Sequence, residues 1–192
     1  MVKLNKIYTR TGDDGTSGLV DGSRAAKSGA RLTAIGEVDE ANCAVGLALA
    51  ELGAVTGIPD LDLVHNELFD LGADLATPFG TDFEQHALRI VPDQVERLEH
   101  EIDAINADLP PLTSFILPSG SRAIAALHLA RAIVRRAERA AVALSAAEQV
   151  NPHALAYLNR LSDHLFVLAR AVAAKTSGEV LWKPGATRGA TD

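Results

Sequence analysis

Aromatic residues are scarce in this chain: one Trp, two Tyr and five Phe make up 4% of 192 positions, although hydrophobic residues reach 47%. The apolar content is chiefly Ala, Leu, Val and Ile. That balance suits packed helices and argues against a β-sandwich, whose strands favour aromatic and β-branched side chains. Cysteine occurs once, at Cys43. A single thiol excludes an intramolecular disulfide and a multi-cysteine metal site, and its apolar surroundings predict a buried, inert side chain. Basic residues are outnumbered, 18 against 25 acidic, for a formal charge of −7. A general nucleic-acid binder needs a basic face to neutralise phosphates, so that class is excluded and any anion site must be local. No segment approaches the roughly 18 consecutive apolar residues of a membrane span, and MVKLNKIYTRTGDDG holds no apolar leader core. The expectation is one cytoplasmic domain, since a single core holds on the order of 100 to 200 residues.

The period of a strand is also missing from most of the chain. Residues 1–30 are rich in Gly, Thr, Ser and Asp and follow neither the helical nor the strand period, so they read as an irregular N-terminal arm. Residues 31–178 read as an all-α helical bundle, and 179–192 as a C-terminal tail whose GATRGATD end is frayed. Within the bundle, a first helix runs from about Leu32 to Leu52, with Ile35, Val38, Asn42, Val45, Leu49 and Leu52 at spacings of three and four, and ends at Gly53 or Gly57. A second, amphipathic helix lies between Pro59 and Pro78. A third starts near Pro92 and carries Val95, Leu98, Ile102, Ile105 and Leu109 before Pro110 and Pro111. Gly80 to Val91 reads as a loop. The fourth helix, about Ser121 to Ala146, is Ala-rich without Gly or Pro, and the fifth opens on Asn151 as cap with Pro152 behind it and stops near Thr176.

Two segments carry chemistry. In Thr9-Arg10-Thr11-Gly12-Asp13-Asp14-Gly15-Thr16-Ser17-Gly18, three glycines at spacing three interleave with hydroxyls and carboxylates. Glycine permits positive φ and close backbone approach, so successive N–H groups can converge on phosphate oxygens, while Asp13 or Asp14 can reach a metal ion. The G-x-x-x-x-G-K-[ST] spacing of a P-loop is absent, and a plain Gly/Asp-rich turn has the same composition. The second segment is Arg131 to Arg139. Arg131, Arg135, Glu138 and Arg139 share one helix face with His128, while Ile124, Leu127, Val134, Ala141 and Leu144 form a separate apolar face. A solvated face with an Arg135–Glu138 pair is the plain reading. Against it, every Lys or Arg of this helix is Arg, and planar five-donor forks suit triphosphate and carboxylates. In the fifth helix, Asn159 bonds a base or ribose, or more plainly faces water or satisfies a neighbouring helix.

Taken in order, Lys6 to Gly15, Ala34 to Glu40, Phe115 to Gly120, Leu127 to Arg139, Tyr157 to Phe166 and the late Trp182 resemble the PduO-type family of ATP:corrinoid adenosyltransferases, over nearly the whole chain. The resemblance implies a ferritin-like, up-down five-helix bundle that assembles as a homotrimer with active sites between subunits. It implies that Thr9, Arg10, Thr11, Gly12, Asp13, Gly15 and Lys27 line ATP together with Arg135, Glu138, Arg139 and Asn159. Phe115 would close the corrinoid cleft, displacing the lower axial ligand of cobalt, and Asp39 and Arg131 would pair between subunits. Cob(I)alamin would attack C5′ of ATP and expel triphosphate, with Mg²⁺ carried on the phosphates through protein ligands that the sequence does not name. A cob(II)alamin reductase and an adenosylcobalamin-dependent mutase would be the protein partners. One departure is visible: Pro118-Ser119-Gly120 stands where the family usually has Pro-Gly-Gly.

Two other classes were weighed. A carboxylate-bridged di-iron bundle calls for Glu-x-x-His pairs, and none of the six His has Glu three residues before it. A non-catalytic carrier that binds ATP and delivers adenosylcobalamin to a client mutase has no need to grip triphosphate, and turnover to triphosphate separates it from the enzyme.

Overall fold

The computed structural model describes residues 7–53 and 61–188. Five helices follow the arm: α1 (Ala30–Leu52), α2 (Leu61–Leu75), α3 (Pro92–Ala107), α4 (Arg122–Ser145) and α5 (Pro152–Lys175). Local chemistry sets their ends. Ser121 caps α4 by accepting from the Ile124 N–H, and Asn151 caps α5 by accepting from the His153 N–H, with Pro152 in the first turn where its missing N–H costs nothing. Gly53, at φ 52°, closes α1 with its N–H on the Leu49 carbonyl. Gly57 and Pro59 lie outside the described residues. Pro92 opens α3, but Leu109 falls beyond its end, so the last expected apolar position of that helix lies in the following turn.

Cross-helix contacts fix the topology. α1 packs on α2 and α4, α4 packs on α5, and α5 packs on α3. Arg136 of α4 meets Glu37 and Glu40 at one end of α1 while Arg122 meets Glu51 at the other, so the two helices are antiparallel. Glu138 with Asn159, and His128 with Phe166, make α4 and α5 antiparallel. Arg160 meets Glu99 and His164 meets Glu101, so α3 and α5 run the same way. α2 lies against α1 with His65 beside Gly46 and Ala73 in one groove with Ile35, so each helix reverses the one before it, as an up-down bundle requires.

The core explains the scarcity of aromatics. Ala34, Ala41 and Ala48 on α1 and Ala130, Ala137 and Ala141 on α4 are fully buried, so the central helices approach closely with no ring between them. Leu61, Leu68, Leu71 and Leu75 of α2 and Leu158, Leu161, Leu165 and Leu168 of α5 fill the remainder. Each fully buried Leu contributes roughly 1.5–3 kcal/mol of transfer free energy. Tyr157 is the largest fully buried side chain, and its hydroxyl donates to Glu67 at 2.6 Å. Glu67 also accepts from Arg97, which pairs with Glu101, which in turn bonds His164, so one polar chain ties α2, α3 and α5.

The expectation for Cys43 is overturned, and the arm and the tail gain detail. Cys43 is exposed rather than buried. The apolar residues around it are spread about α1 rather than gathered on one stripe, and position 43 falls on the outward side with Glu40 and the half-exposed Leu47. The arm contains two short strands, β1 (Thr16–Gly18) and β2 (Arg24–Ala26), paired antiparallel with Thr16 opposite Ala26. The first part of the tail is held: Ile116 bridges Leu181, and Glu179 pairs with the buried Arg170 at 2.7 Å. Residues 185–188 form a turn, and the rest of the segment expected to fray lies outside the described residues.

Candidate functional site

The arm builds a turn ahead of β1. Arg10 has φ 62°, the one non-glycine residue with positive φ among the described residues, and Gly15 has φ 83°. The Gly15 N–H donates to the Gly12 carbonyl, and the Lys27 N–H donates to the Gly15 carbonyl at 2.9 Å. Lys27 Nζ donates to the Gly12 carbonyl at 2.8 Å, and Thr9 and Thr11 hydroxyls bond each other. The Asp14 carboxylate is held below the ordinary range by the Thr16 hydroxyl and amide, with Arg24 adding to the effect. Asp13 makes no such bonds. The arm reaches the bundle through the Val20 N–H on the Ala76 carbonyl, and where it enters α1 the buried Arg31 pairs with Glu148 at 2.6 Å and donates to the Leu75 carbonyl.

The arginines of α4 divide by face. Arg122 and Arg136 bind glutamates of α1, a structural use that the sequence reading did not separate from the rest. Arg131, Arg135 and Arg139 lie on the other side, Arg135 and Arg139 exposed and Arg131 half-buried. No Arg135–Glu138 pair forms: Glu138 accepts from Asn159 Nδ2 at 2.8 Å, and Asn159 Oδ1 accepts from Arg160 at 2.5 Å. Asn159 is thus bonded to the neighbouring helix, one of the uses expected of it. Arg131 Nε and His128 Nδ1 are buried without a partner. Burial, then the charge of Arg135, lowers the pKa of Arg131, and burial, then Arg131, lowers that of His128. Three cations therefore share one face, and such an arrangement can take an anion.

Phe115 is 77% exposed, so it is no core residue. Its carbonyl accepts from the Trp182 N–H at 2.7 Å and its ring lies 6.1 Å from the Trp182 ring. Leu117 and Trp182 border a cavity of about 540 Å³ that extends to Arg188. Sequence reasoning carried Trp182 as a family match with no partner; its pairing joins positions 67 residues apart, which no local pattern encodes. A second groove, about 430 Å³, lies between α1 and α2, with Ile35, Asp39, Asn42, Phe69 and Ala73 in its wall. Asp39 and Phe69 are exposed there, Phe69 by 71%, and Asn42 Oδ1 is buried without a donor.

Within one chain these parts stay separate. Among the described residues, no hydrogen bond or ion pair joins Thr9, Arg10, Thr11, Gly12, Asp13, Gly15 or Lys27 to Arg135, Glu138, Arg139 or Asn159. Asp39 forms no ion pair with Arg131, and Phe115 touches neither set through a ring or hydrogen bond. Among the described residues no group of three or more His, Cys, Asp or Glu is placed to hold a metal, and no helix is long and apolar enough to cross a membrane.

A family model described as cobalamin adenosyltransferase matches residues 7–172. A corrinoid adenosyltransferase of Mycobacterium tuberculosis is 52% identical over 193 residues, which cover 99% of each protein. Among solved structures, a phenylalanine-to-histidine variant of the PduO-type ATP:corrinoid adenosyltransferase from Lactobacillus reuteri, complexed with cobalamin and ATP, superposes with a TM-score of 0.86 at 37% identity, over 93% of this chain and 97% of that one. An arginine-to-lysine variant of the same enzyme complexed with ATP gives a TM-score of 0.85 at 36% identity, over 93% and 100%.

Proposed function

Because the chain belongs to the cobalamin adenosyltransferase family, we propose that its arm and the arginine face of α4 form the site at which it carries out that family's reaction. The reaction is ATP-dependent adenosylation of cobalamin. Cobalt(I) supplies the electron pair that forms the Co–C5′ bond, the C5′–O bond breaks, and its electron pair leaves on triphosphate. No general base is required, because no proton moves. The protein holds cobalt and C5′ in line and stabilises the charge that grows on the leaving group.

The observation that carries the assignment is the face of α4 on which Arg135 and Arg139 stand exposed, with no carboxylate partner among the described residues. Arg135 and Lys27 take the triphosphate, with Arg139 beside it. Thr9, Arg10, Thr11, Gly12, Asp13 and Gly15 wrap the nucleotide, and the Glu138–Asn159 pair offers one acceptor and one amide to ribose or base. Phe115, solvent-facing and apolar, covers the lower corrin face. Mg²⁺, where present, rides on phosphate oxygens and neutralises their charge. Asp13, the carboxylate in the turn left free of other bonds, is the residue available to it.

The two halves come from different subunits. In one chain the arm has no bond to the α4 face, Asp39 stands unpaired at a groove with Phe69, and Arg131 lacks an acceptor. A homotrimer in which Asp39 of one subunit meets Arg131 of the next answers all three. A cytoplasmic location goes with ATP as substrate, and the chemistry calls for a reductase that makes cob(I)alamin and a mutase that takes the product. The test is chemically reduced cobalamin with Mg-ATP, followed by the corrin spectrum and by triphosphate release. Adenosylcobalamin and triphosphate in equal amounts are expected; a fully reduced corrinoid that stays unadenosylated overturns the reading.

A further inference from the structure

The best-connected side chain of the arm is one that neither the glycine spacing nor the α4 cluster singles out: Arg24, on β2. Its Nε donates to Thr16 Oγ1 at 2.7 Å, and its Nη2 donates to the Thr11 carbonyl at 2.6 Å. The same Nη2 lies 3.6 Å from Asp14 Oδ1. That carboxylate oxygen accepts from the Thr16 N–H at 2.9 Å and from the Thr16 hydroxyl at 2.7 Å. One planar fork therefore grips both ends of the Thr11–Thr16 turn and the carboxylate in its middle.

The consequence lies in what stays unbonded. Gly15 N–H goes to Gly12, Asp13 N–H to Arg10 and Thr16 N–H to Asp14. Arg24 takes the Thr11 carbonyl, Lys27 takes the Gly12 carbonyl, and the Asp14 carboxylate is turned to Thr16 and Arg24. The N–H groups of Thr11, Gly12 and Asp14 have no partner among the described residues. Left to itself, a short polar turn would fold those donors onto its own carboxylates and hydroxyls, as Asp and Thr side chains commonly do. Occupying the competing acceptors from outside keeps the donors available. A turn fixed before its ligand arrives avoids the ordering cost of binding.

We propose that Arg24 is a positioning residue for the nucleotide: its guanidinium clamps the Thr11–Thr16 turn so that the N–H groups of Thr11, Gly12 and Asp14 await phosphate oxygens. The proposal rests on the reading of the arm as the ATP-binding segment. Lysine cannot replace this clamp, because an ammonium has no fork with which to span a carbonyl and a hydroxyl at fixed angles. Arg24 acts through the turn and not on the reacting atoms, so ground state and transition state gain equally. Such a residue alters KM rather than kcat.

The test uses the full chain with Arg24→Gln and Arg24→Lys. KM for ATP, KM for the corrinoid and kcat are measured, with amide hydrogen exchange of residues 11–18 in the absence of nucleotide. Arg24→Gln is expected to raise KM for ATP on the order of tenfold, about 1.4 kcal/mol, while kcat and the corrinoid KM stay near wild type. The Gly15 and Thr16 amides should exchange faster, and melting temperature should hold, since Arg24 lies outside the core. Arg24→Lys should recover only part of the ATP affinity. Full recovery with lysine overturns the clamp in favour of charge alone, an unchanged KM with an unchanged kcat overturns any role at ATP, and a fall in kcat at unchanged KM makes Arg24 a direct ligand of the leaving group. A wild-type arm that gains no exchange protection from Mg-ATP removes the underlying reading, and with it the proposal. That failure appears in the unmodified chain, so it is distinct from the other three.

Discussion

Gly12 is crowded on its side-chain side: a Cβ built there would stand 3.1 Å from Lys27 Nζ and 3.1 Å from the Thr16 carbonyl. The lysine is the flexible neighbour and the carbonyl is not, so Gly12→Val pushes Lys27 off the turn. We expect KM for ATP to rise by about tenfold or more, with little change in melting temperature; unaltered ATP kinetics would place Lys27 outside the nucleotide site. Arg135 is a different kind of residue. It is exposed, has no carboxylate partner among the described residues, and its charge adds to burial in lowering the pKa of Arg131 beside it. If it faces the departing triphosphate, Arg135→Ala costs about 2.7–4 kcal/mol of transition-state stabilisation, a fall in kcat of about 100- to 1,000-fold. Near wild-type kcat in a correctly assembled variant removes it from the mechanism.

At the scale of the element, the strand-like pairing of residues 180–182 with 115–117 joins the tail to the loop before α4. The pairing orients Phe115, because its carbonyl is bonded to Trp182 and its ring leans on the indole. Trp182→Ala keeps the backbone bond and removes the ring, so corrinoid affinity should fall several-fold while KM for ATP is retained. A corrinoid titration of variant and wild type decides it, and equal affinities would leave Phe115 positioned by its backbone alone. Within the bundle, Glu101 sits between Arg97 and His164. Burial works to raise its pKa, but the hydrogen bonds from His164 and Arg97 outweigh that and hold it below the usual carboxylate range. Glu101→Gln leaves the Arg97 guanidinium and the His164 ring poorly matched, and a loss of about 1–3 kcal/mol in urea denaturation is expected; a neutral effect would make the polar chain dispensable.

For the whole molecule, His128 couples stability to pH. Its pKa is lowered, first by burial and then by Arg131, so the folded protein favours the neutral ring. The unfolded chain takes up that proton near pH 6.5, before the folded one does. The stability contributed by His128 is full above about pH 6.5 and declines as pH falls towards its lower folded value. Urea midpoints at pH 7.5 and 5.5 should differ more in wild type than in His128→Gln, and equal differences would deny the coupling. Assembly is the other property of this scale. Asp39 and Arg131 have no ion pair among the described residues, so if they join subunits as proposed, Asp39→Asn should weaken self-association and lower corrinoid affinity without unfolding the bundle. Sedimentation of wild type and variant measures it, and an unchanged trimer with unchanged affinity refutes the intersubunit pair.

The helices were legible because their signals are local. Ser121, Asn151 with Pro152, and Gly53 cap within a turn, and the stripes from Leu61 to Leu75 and from Ile124 to Leu144 repeat at helical spacing. The arginine cluster was legible as composition, and its division was not. Arg136 and Arg135 are neighbours in sequence, and which of them meets Glu37 and Glu40 depends on where α1 packs. Cys43 is exposed for the same reason: apolar neighbours along the chain predict burial only when they form a stripe, and α1 has small apolar residues on several sides. The residue types and spacings by themselves determined five helices, a glycine-rich arm and an arginine-bearing face. Only the tertiary structure decided that Trp182 lies against Phe115, that Arg24 clamps the arm's turn, and that Arg131 is left without a partner, because each depends on contacts between segments whose meeting is set by packing rather than by sequence period.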